Sequence, residues 1–203
     1  EGGPPLKVIF SVLAILGGLA VLNSLFYTVE PEEVGVILRF GEYHRVTEPG
    51  LRMKGPPPFE EVIKVPIQRQ LKEEFGFRTR ESNIRTAYEK GNYLDESLML
   101  TGDLNVAVVE WIAQYRVSDP YQYLFKVRNV RDTFRDLNEA VMRQVVGDKT
   151  VNEVLTIGRQ AVASEVKQRL QELCTEYETG IKVEQIVLQN VNPPDPVKPS
   201  FNE

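Results

Sequence analysis

The sequence predicts an α+β fold that follows one N-terminal transmembrane helix. Three observations support this prediction. The 203-residue chain begins with an uncharged apolar run, Val8–Val29. A segment with strand-like alternation, Val109–Val117, lies in the second half, and helix-like apolar spacing follows it over Val130–Val145. Strands dominate the first half, and a strand–helices–strand order dominates the second, an order typical of an α+β domain.

The composition excludes several classes of protein. Hydrophobic residues make up 42% and charged residues 26% of the chain, as in ordinary folded domains. Cys174 is the one cysteine and His44 the one histidine. These counts exclude an intramolecular disulfide framework, a cysteine-based zinc site and histidine-pair metal motifs. A net charge of −5 argues against nucleic acid as a partner. We therefore expect no metal and no cofactor.

The run Val8–Val29 contains 22 residues without a formal charge. As a helix it is about 33 Å long, enough to cross a hydrocarbon core of about 30 Å. A buried core helix and a cleaved signal peptide are the alternatives, but the run lacks a polar stripe before Asn23 and an A-x-A-like cleavage site before Tyr27. Lys7 precedes the run, which gives slight support to a cytoplasmic N-terminus.

The segment after the apolar run is rich in short strands. Glu33–Phe40 predicts a strand that ends at Gly41, and Pro49-Gly50 marks a turn. Glu61–Gln68 and Leu71–Arg78 predict either a strand pair or one long bent strand. We place the boundary between a strand-rich first subdomain and the second subdomain near residue 98.

The second half has clearer signals. Asp119-Pro120 predicts a helix start, and Thr150 with Glu153 has the spacing of a capping box. Gly147 is predicted to cap one helix, a longer helix is expected over about Ile157–Tyr177, and Ile181–Val191 predicts the last strand. One apolar face of the strand and one of the first helix predict a shared core of Val109, Trp111, Tyr115, Phe134, Leu137 and Val141.

No nucleophile–base pair or phosphate-binding loop is visible, so we expect no catalytic residue. Cys174 is interpreted as a buried structural thiol and His44 as an exposed turn residue. The loop Leu51–Phe59 has two interpretations: it crosses the end of a sheet, or it touches a membrane through Leu51, Met53 and Phe59. In the second case, Arg52 and Lys54 would reach lipid headgroups.

The chain resembles the SPFH, or band 7, family, which includes stomatins, prohibitins and flotillins, and within it the HflK branch. Motifs shared with the whole family are Leu98–Asp103, Gln114–Val117 with Asp119-Pro120, and Tyr123–Phe125. Motifs typical of the branch are Val145–Gly147, Val154–Thr156 with Gly158-Arg159, Gly180-Ile181 and Leu188–Pro194. Leu38–Gly41 and Pro49–Leu51 match the first SPFH subdomain.

The resemblance implies an N-terminal tail, an anchor, two SPFH subdomains and the start of a truncated C-terminal helical region; we place these at 1–7, 8–29, 30–98, 99–192 and 193–203. It further implies a single-pass protein of the bacterial inner membrane with its SPFH domain in the periplasm. Such a protein would assemble with an HflC-like subunit into a large ring or cage, associate with an FtsH-like membrane protease, organise the surrounding lipid and have no catalytic site.

Within that assembly, a charged helical face would select neighbours through Arg131, Arg135, Asp136 and Arg143. A solvated helix face with internal ion pairs is the alternative for these residues. For the whole protein, the alternatives are a stomatin-like regulator of lipids or channels and a membrane-bound peptidase.

Overall fold

The computed structural model describes residues 11, 15–18, 22–80, 87–89, 93–155 and 158–192. The chain divides into two compact units, Glu1–Arg69 and Gln70–Glu203. Both units contain antiparallel sheets, and helices pack on the larger sheet of the second unit. The predicted α+β class is confirmed.

Nine of the 22 residues of the predicted membrane span lie outside the described residues. Its positions 15–18 and 22–24 are helical. In the described part of the chain, no helix has the length and apolar content needed to cross a membrane. The span was also predicted too long, because its last four residues, Phe26–Val29, form a strand. These aromatic and β-branched residues pair with Gly50–Met53 instead of extending a helix.

The first unit contains two antiparallel sheets. Their strands are β1 (Phe26–Val29), β2 (Glu33–Arg39), β3 (Glu42–Thr47), β4 (Gly50–Met53) and β5 (Glu60–Pro66). β1 and β4 form a two-stranded ribbon, and the second sheet has the order β3–β2–β5. The central strand β2 is buried over Val34–Leu38. β2 therefore forms the centre of this unit.

The second unit begins earlier than predicted. Its strands are β6 (Leu71–Phe75), β7 (Arg78–Arg80), β8 (Ala87–Glu89), β9 (Leu98–Leu100), β10 (Val106–Val117) and β11 (Ile181–Asn192). β6 pairs with β10, so the chain divides after Arg69 and not near residue 98. β5 and β6 were predicted as a pair or as one strand, but they belong to different sheets because β5 pairs with β2.

The main sheet of the second unit has the order β11–β10–β6, and β9 also pairs with β10. The helices are α1 (Leu94–Ser97), α2 (Pro120–Phe125), α3 (Val130–Gly147), α4 (Val151–Leu155) and α5 (Arg159–Glu176). Alternate residues of β10 are buried, as the sequence predicts. Of the predicted core, Leu137 is partly buried and the other five residues are buried with α3 and α5. Trp111 stacks on Phe75 at 4.5 Å and donates from Nε1 to Asn138 Oδ1 at 2.9 Å.

The local helix signals are confirmed in most details. The Asp119 carboxylate accepts from the N–H groups of Tyr121 and Gln122, which starts α2. The N–H of Thr150 donates to Glu153 at 2.8 Å, and that of Glu153 donates to Thr150 Oγ1 at 3.4 Å. This reciprocal pair is the predicted capping box. Gly147 is the last residue of α3, so the C-cap falls one position later, at Asp148.

The outer edge of β11 is covered by side chains of α5. Gln171 accepts from the N–H of Val183 at 2.8 Å and donates to the carbonyl of Ile181 at 3.3 Å. Arg159 donates to the carbonyl of Val191 at 3.4 Å. The register with β10 also shifts at two places along β11. These contacts satisfy backbone groups that an edge strand otherwise offers to another chain.

Candidate membrane-contact and assembly surfaces

One face of the β1–β4 ribbon is apolar and exposed. Phe26 lies opposite Met53, and Thr28 lies opposite Leu51. Residues that face each other across antiparallel strands, and alternate residues along one strand, share a face. The exposed fractions are 47% for Phe26, 59% for Met53 and 69% for Leu51. We call these three side chains the ribbon face; Leu51 and Met53 were predicted from the sequence, and Phe26 was not.

A second exposed apolar pair joins the ends of β2 and β5. The rings of Phe40 and Phe59 meet edge to face with centroids 5.6 Å apart, and the Phe40 N–H donates to the carbonyl of Phe59. Phe40 and Gly41 both have positive φ angles, 53° and 85°, in the β2–β3 turn. A bulky residue is strained there, yet Phe40 remains 73% exposed. The turn therefore presents an aromatic ring to the surroundings.

The loop between the ribbon face and Phe59 is held by a buried carboxylate. Glu60 accepts from the N–H of Gly55 at 2.7 Å and from Arg39 Nη2 at 2.7 Å. The Gly55 N–H and the Arg39 guanidinium together hold the pKa of Glu60 below its ordinary value of 4.5. Glu60 is therefore an anion, and its bond to the Gly55 N–H holds the loop in place.

The basic residues near this loop differ in their roles. Arg52 lies opposite Tyr27, on the other face of the ribbon, and donates to the carbonyls of Glu48 and Pro49. These contacts hold Arg52 in the β3–β4 turn, so it does not accompany the ribbon face as expected. Arg45 lies beside the ribbon face instead, since its Nη2 donates to the carbonyl of Met53 at 3.4 Å. Lys54 follows Met53 and donates its N–H to the carbonyl of Leu25.

The predicted interface arginines on α3 form contacts within the second unit. Arg131 Nε and Arg135 Nη1 both donate to Glu73, whose side chain is 5% exposed. Arg135 Nη2 also donates to Glu96 at 3.1 Å. Its guanidinium lies over the ring of Phe75, 4.5 Å from the centroid. These arginines clamp α3 to β6 and α1.

The other two residues of the predicted interface lie at the surface. Arg143 donates to the carbonyls of Leu98 and Asp95 and is 3.9 Å from Glu139. Asp136 is exposed. Sequence patterns missed the acceptor Glu73, because an acid on a short strand gives no local sign of a partner 58 residues away.

An apolar hairpin lies beside Arg143. The side chains of Leu98, Leu100, Leu104 and Val106 are 41%, 55%, 80% and 39% exposed. Leu104, at the turn between β9 and β10, has a φ of 62°. We call these four residues the leucine hairpin. Exposed apolar clusters of this kind mark contact surfaces in soluble domains.

The groups considered for catalysis belong to different units, His44 to the first and Cys174 to the second. Cys174 is buried in α5, and burial raises the pKa of its thiol to about 11. His44 is exposed on β3 and does not lie in a turn. Over the residues that the structure describes, no group of three or more histidine, cysteine, aspartate or glutamate side chains is arranged to hold a metal ion.

The profile of the SPFH domain / Band 7 family matches residues 27–203, which include most of the first unit and all of the second. The chain belongs to the SPFH/Band 7 family. It is 41% identical over 192 residues to the protein HflK of Treponema pallidum (strain Nichols), an alignment that covers 93% of this chain and 58% of the relative. It is 34% identical over 194 residues to the protein HflK of Vibrio cholerae, with 96% of this chain and 44% of the relative covered.

An Escherichia coli K12 relative is named "Modulator of FtsH protease HflK". The SPFH chain is 33% identical to it over 180 residues, which cover 89% of this chain and 38% of the relative. The similarity to the HflK branch is therefore confirmed. The chain spans less than two thirds of the length of these relatives.

Proposed function

We propose that this SPFH protein is a membrane-anchored scaffold of the HflK type. It assembles with an HflC-like subunit into a ring or cage, regulates an FtsH-like membrane protease and organises the surrounding membrane. The similarity to HflK proteins across both units carries this proposal. The name of the E. coli relative, a modulator of a protease, supports a regulatory role and not a catalytic one.

The uncharged run that begins at Val8 serves as the single anchor in the bacterial inner membrane, and the SPFH units lie on the periplasmic side. The anchor ends before Phe26, where β1 begins. An anchor confines the subunits to one plane and raises their effective concentration, so weak contacts between subunits suffice for assembly.

The ribbon face and the Phe40–Phe59 pair contact the lipid surface beside the anchor. Leu51, Met53 and Phe59, which the sequence suggested for this role, are all largely exposed, and Phe26 and Phe40 extend the surface. β1 is the last part of the run Val8–Val29, which keeps the ribbon close to the membrane. Full burial of a methionine or phenylalanine side chain contributes about 1.5–3 kcal/mol.

Neighbouring subunits meet through the leucine hairpin, with the charged face of α3 at its rim. Arg143 joins the two surfaces, because it lies on α3 and donates to the carbonyl of Leu98. The apolar centre supplies affinity, and Asp136 with the exposed parts of Arg131 and Arg135 supplies selectivity. A heterologous contact of this kind closes into a ring when the rotation between subunits is right.

The test is purification of the tagged protein from its native membranes under mild detergent. We expect a particle much larger than the 23.1 kDa chain, which contains an HflC-like subunit and an FtsH-like protease. A monomeric protein without either partner would overturn the proposal. Casein cleavage by a protein freed of FtsH, lost on substitution of one serine, would support the peptidase alternative. Co-purification with a channel instead of a protease would support the stomatin-like alternative.

A further inference from the structure

A positively charged cluster flanks the ribbon face in a protein whose net charge is −5. Arg45 reaches the carbonyl of Met53, and Lys54 is the next residue along the chain. The loop that begins at Lys54 ends at the buried Glu60, which is bound to Arg39. Arg45 lies close enough to Glu60 to help lower the pKa of that carboxyl group. Glu60, together with Glu42, which lies opposite Arg39 in the register of β2 and β3, offsets part of this positive charge.

Two of these cations lack a close acidic partner. Glu60 is hydrogen-bonded to Arg39 and to the N–H of Gly55. Within the described residues, no carboxylate lies within 4.0 Å of the charged groups of Arg45 or Lys54. The other three arginines of this unit do have such a partner, in the Arg39–Glu60, Arg52–Glu48 and Arg69–Glu32 pairs. The positive charge is therefore concentrated next to Met53.

This arrangement of apolar and cationic groups narrows the choice of partner. Exposed apolar side chains next to cations match a lipid surface, in which acyl chains lie below negatively charged headgroups. Each lysine or arginine near an anionic surface strengthens binding about fivefold, and salt weakens the effect. The continuity of β1 with the apolar N-terminal run brings such a surface within reach of Arg45 and Lys54.

We propose that Arg45 and Lys54 bind the headgroups of anionic lipids, so that the ribbon face docks preferentially on anionic membrane. This inference rests on the proposed contact between the ribbon face and the membrane. It adds a chemical class of lipid to that contact and names the two residues that select it. Arg39 contributes to the field but remains bound to Glu60.

The test uses the full chain with a Leu51→Cys substitution, labelled with an environment-sensitive fluorophore and reconstituted in vesicles. Labelling is selective because the native Cys174 is buried and its thiol pKa is raised. The vesicles contain phosphatidylcholine alone or with phosphatidylglycerol as about a third of the lipid. Quenching by aqueous iodide gives the ratio of docked to undocked ribbon.

We expect stronger shielding of the label in anionic vesicles. In these, Arg45→Gln and Lys54→Gln each lower the docked-to-undocked ratio about fivefold, and neither changes it in neutral vesicles. Lys64→Gln is the matched control, since it removes an exposed cation from β5 at a position opposite Gly35. We expect no effect of Lys64→Gln on docking.

Different results would overturn the membrane contact of the ribbon face and its preference for anionic lipids. Equal shielding in neutral and anionic vesicles would overturn the selectivity for anionic lipids and leave the membrane contact standing. A label that iodide quenches fully in both vesicles would overturn the membrane contact and the inference together. Equal losses with Lys64→Gln and Arg45→Gln would assign the effect to net charge and would also overturn the inference.

Discussion

Arg135 on α3 donates to the buried carboxylate of Glu73 at 2.9 Å, across 62 residues of chain. Arg131, one helical turn earlier, donates to the same carboxylate. The pairing explains why two of the arginines on this helix face, Arg131 and Arg135, are not free cations at the surface. It also fixes the position of α3 over β6.

We predict that Glu73→Gln destabilises the second unit by about 3 kcal/mol, the lower end for breaking a buried ion pair, because Arg131 regains water. The chain has one tryptophan, Trp111, which lies in this core, so its fluorescence during urea unfolding in detergent gives the free energy of unfolding. Asp136→Asn is the control and should change that energy by less than about 0.5 kcal/mol. Equal stability of the two variants would contradict the clamp.

Phe134 is 0% exposed, and its ring packs on Tyr115 with centroids 4.5 Å apart. Phe134→Ala should cost about 3–5 kcal/mol through lost burial and a cavity. Leu137→Ala should cost less, because Leu137 is only partly buried. The same tryptophan measurement applies. A loss below about 1 kcal/mol at Phe134 would mean that the side chain lies outside the core.

The loop held by Glu60 should loosen in acid. Because the pKa of Glu60 is lowered in the folded protein, its stabilising contribution is present above the ordinary value of 4.5 and is lost as the pH falls through the lowered value. The amide of Gly55 reports this change, since it donates to the Glu60 carboxylate. We expect hydrogen exchange at Gly55, corrected for its intrinsic pH dependence, to accelerate below about pH 4.5.

Glu60→Gln provides the control for that measurement. The variant should show weak protection of Gly55 at neutral pH and little further change in acid. Protection that falls with acid in the variant as it does in the native protein would assign the effect to another group.

Tyr27 crosses Gly35 and holds β1 on the β3–β2–β5 sheet of the first unit. The hydroxyls of Tyr27 and Thr47 are 2.8 Å apart, and a Cβ at Gly35 would lie 2.6 Å from Thr47 Oγ1. Gly35→Ala should therefore separate β1 from β2, whereas Tyr27→Phe should cost only about 0.5–1.5 kcal/mol for one hydrogen bond. The rate of limited proteolysis after β1 measures the effect of each variant. Equal cleavage of the two variants would argue against the close packing of Gly35 on Thr47.

The leucine hairpin and the charged face of α3 should affect assembly differently. Leu104→Ser should lower the mass of the purified assembly, because Leu104 is 80% exposed and its loss leaves the core intact. Asp136→Lys should preserve the mass at moderate salt and change the ratio of this subunit to the proposed HflC-like partner. Mass spectrometry of the intact complex gives both values. The opposite pattern would place the charged face at the centre of the interface.

The features found from the sequence are those encoded locally. Asp119, Thr150 and Glu153 act on backbone groups within a few residues, and the alternation along β10 shows its buried face directly. The pairing of β6 with β10 depends on residues about 40 positions apart, so a boundary judged from the order of elements along the chain fell in the wrong place. The ribbon was missed for the same reason: Phe26 meets Met53 only after the intervening strands have turned back.

The side chains along β11 have a consequence for crowding. The proposed scaffold would hold many identical sheets close together, a condition under which exposed strand edges recruit one another without limit. Gln171 and Arg159 occupy hydrogen-bonding groups near the two ends of this edge, and the two register shifts bend the strand away from a flat template. Copies can then crowd together and exchange neighbours through side chains, while the sheet of each stays finite.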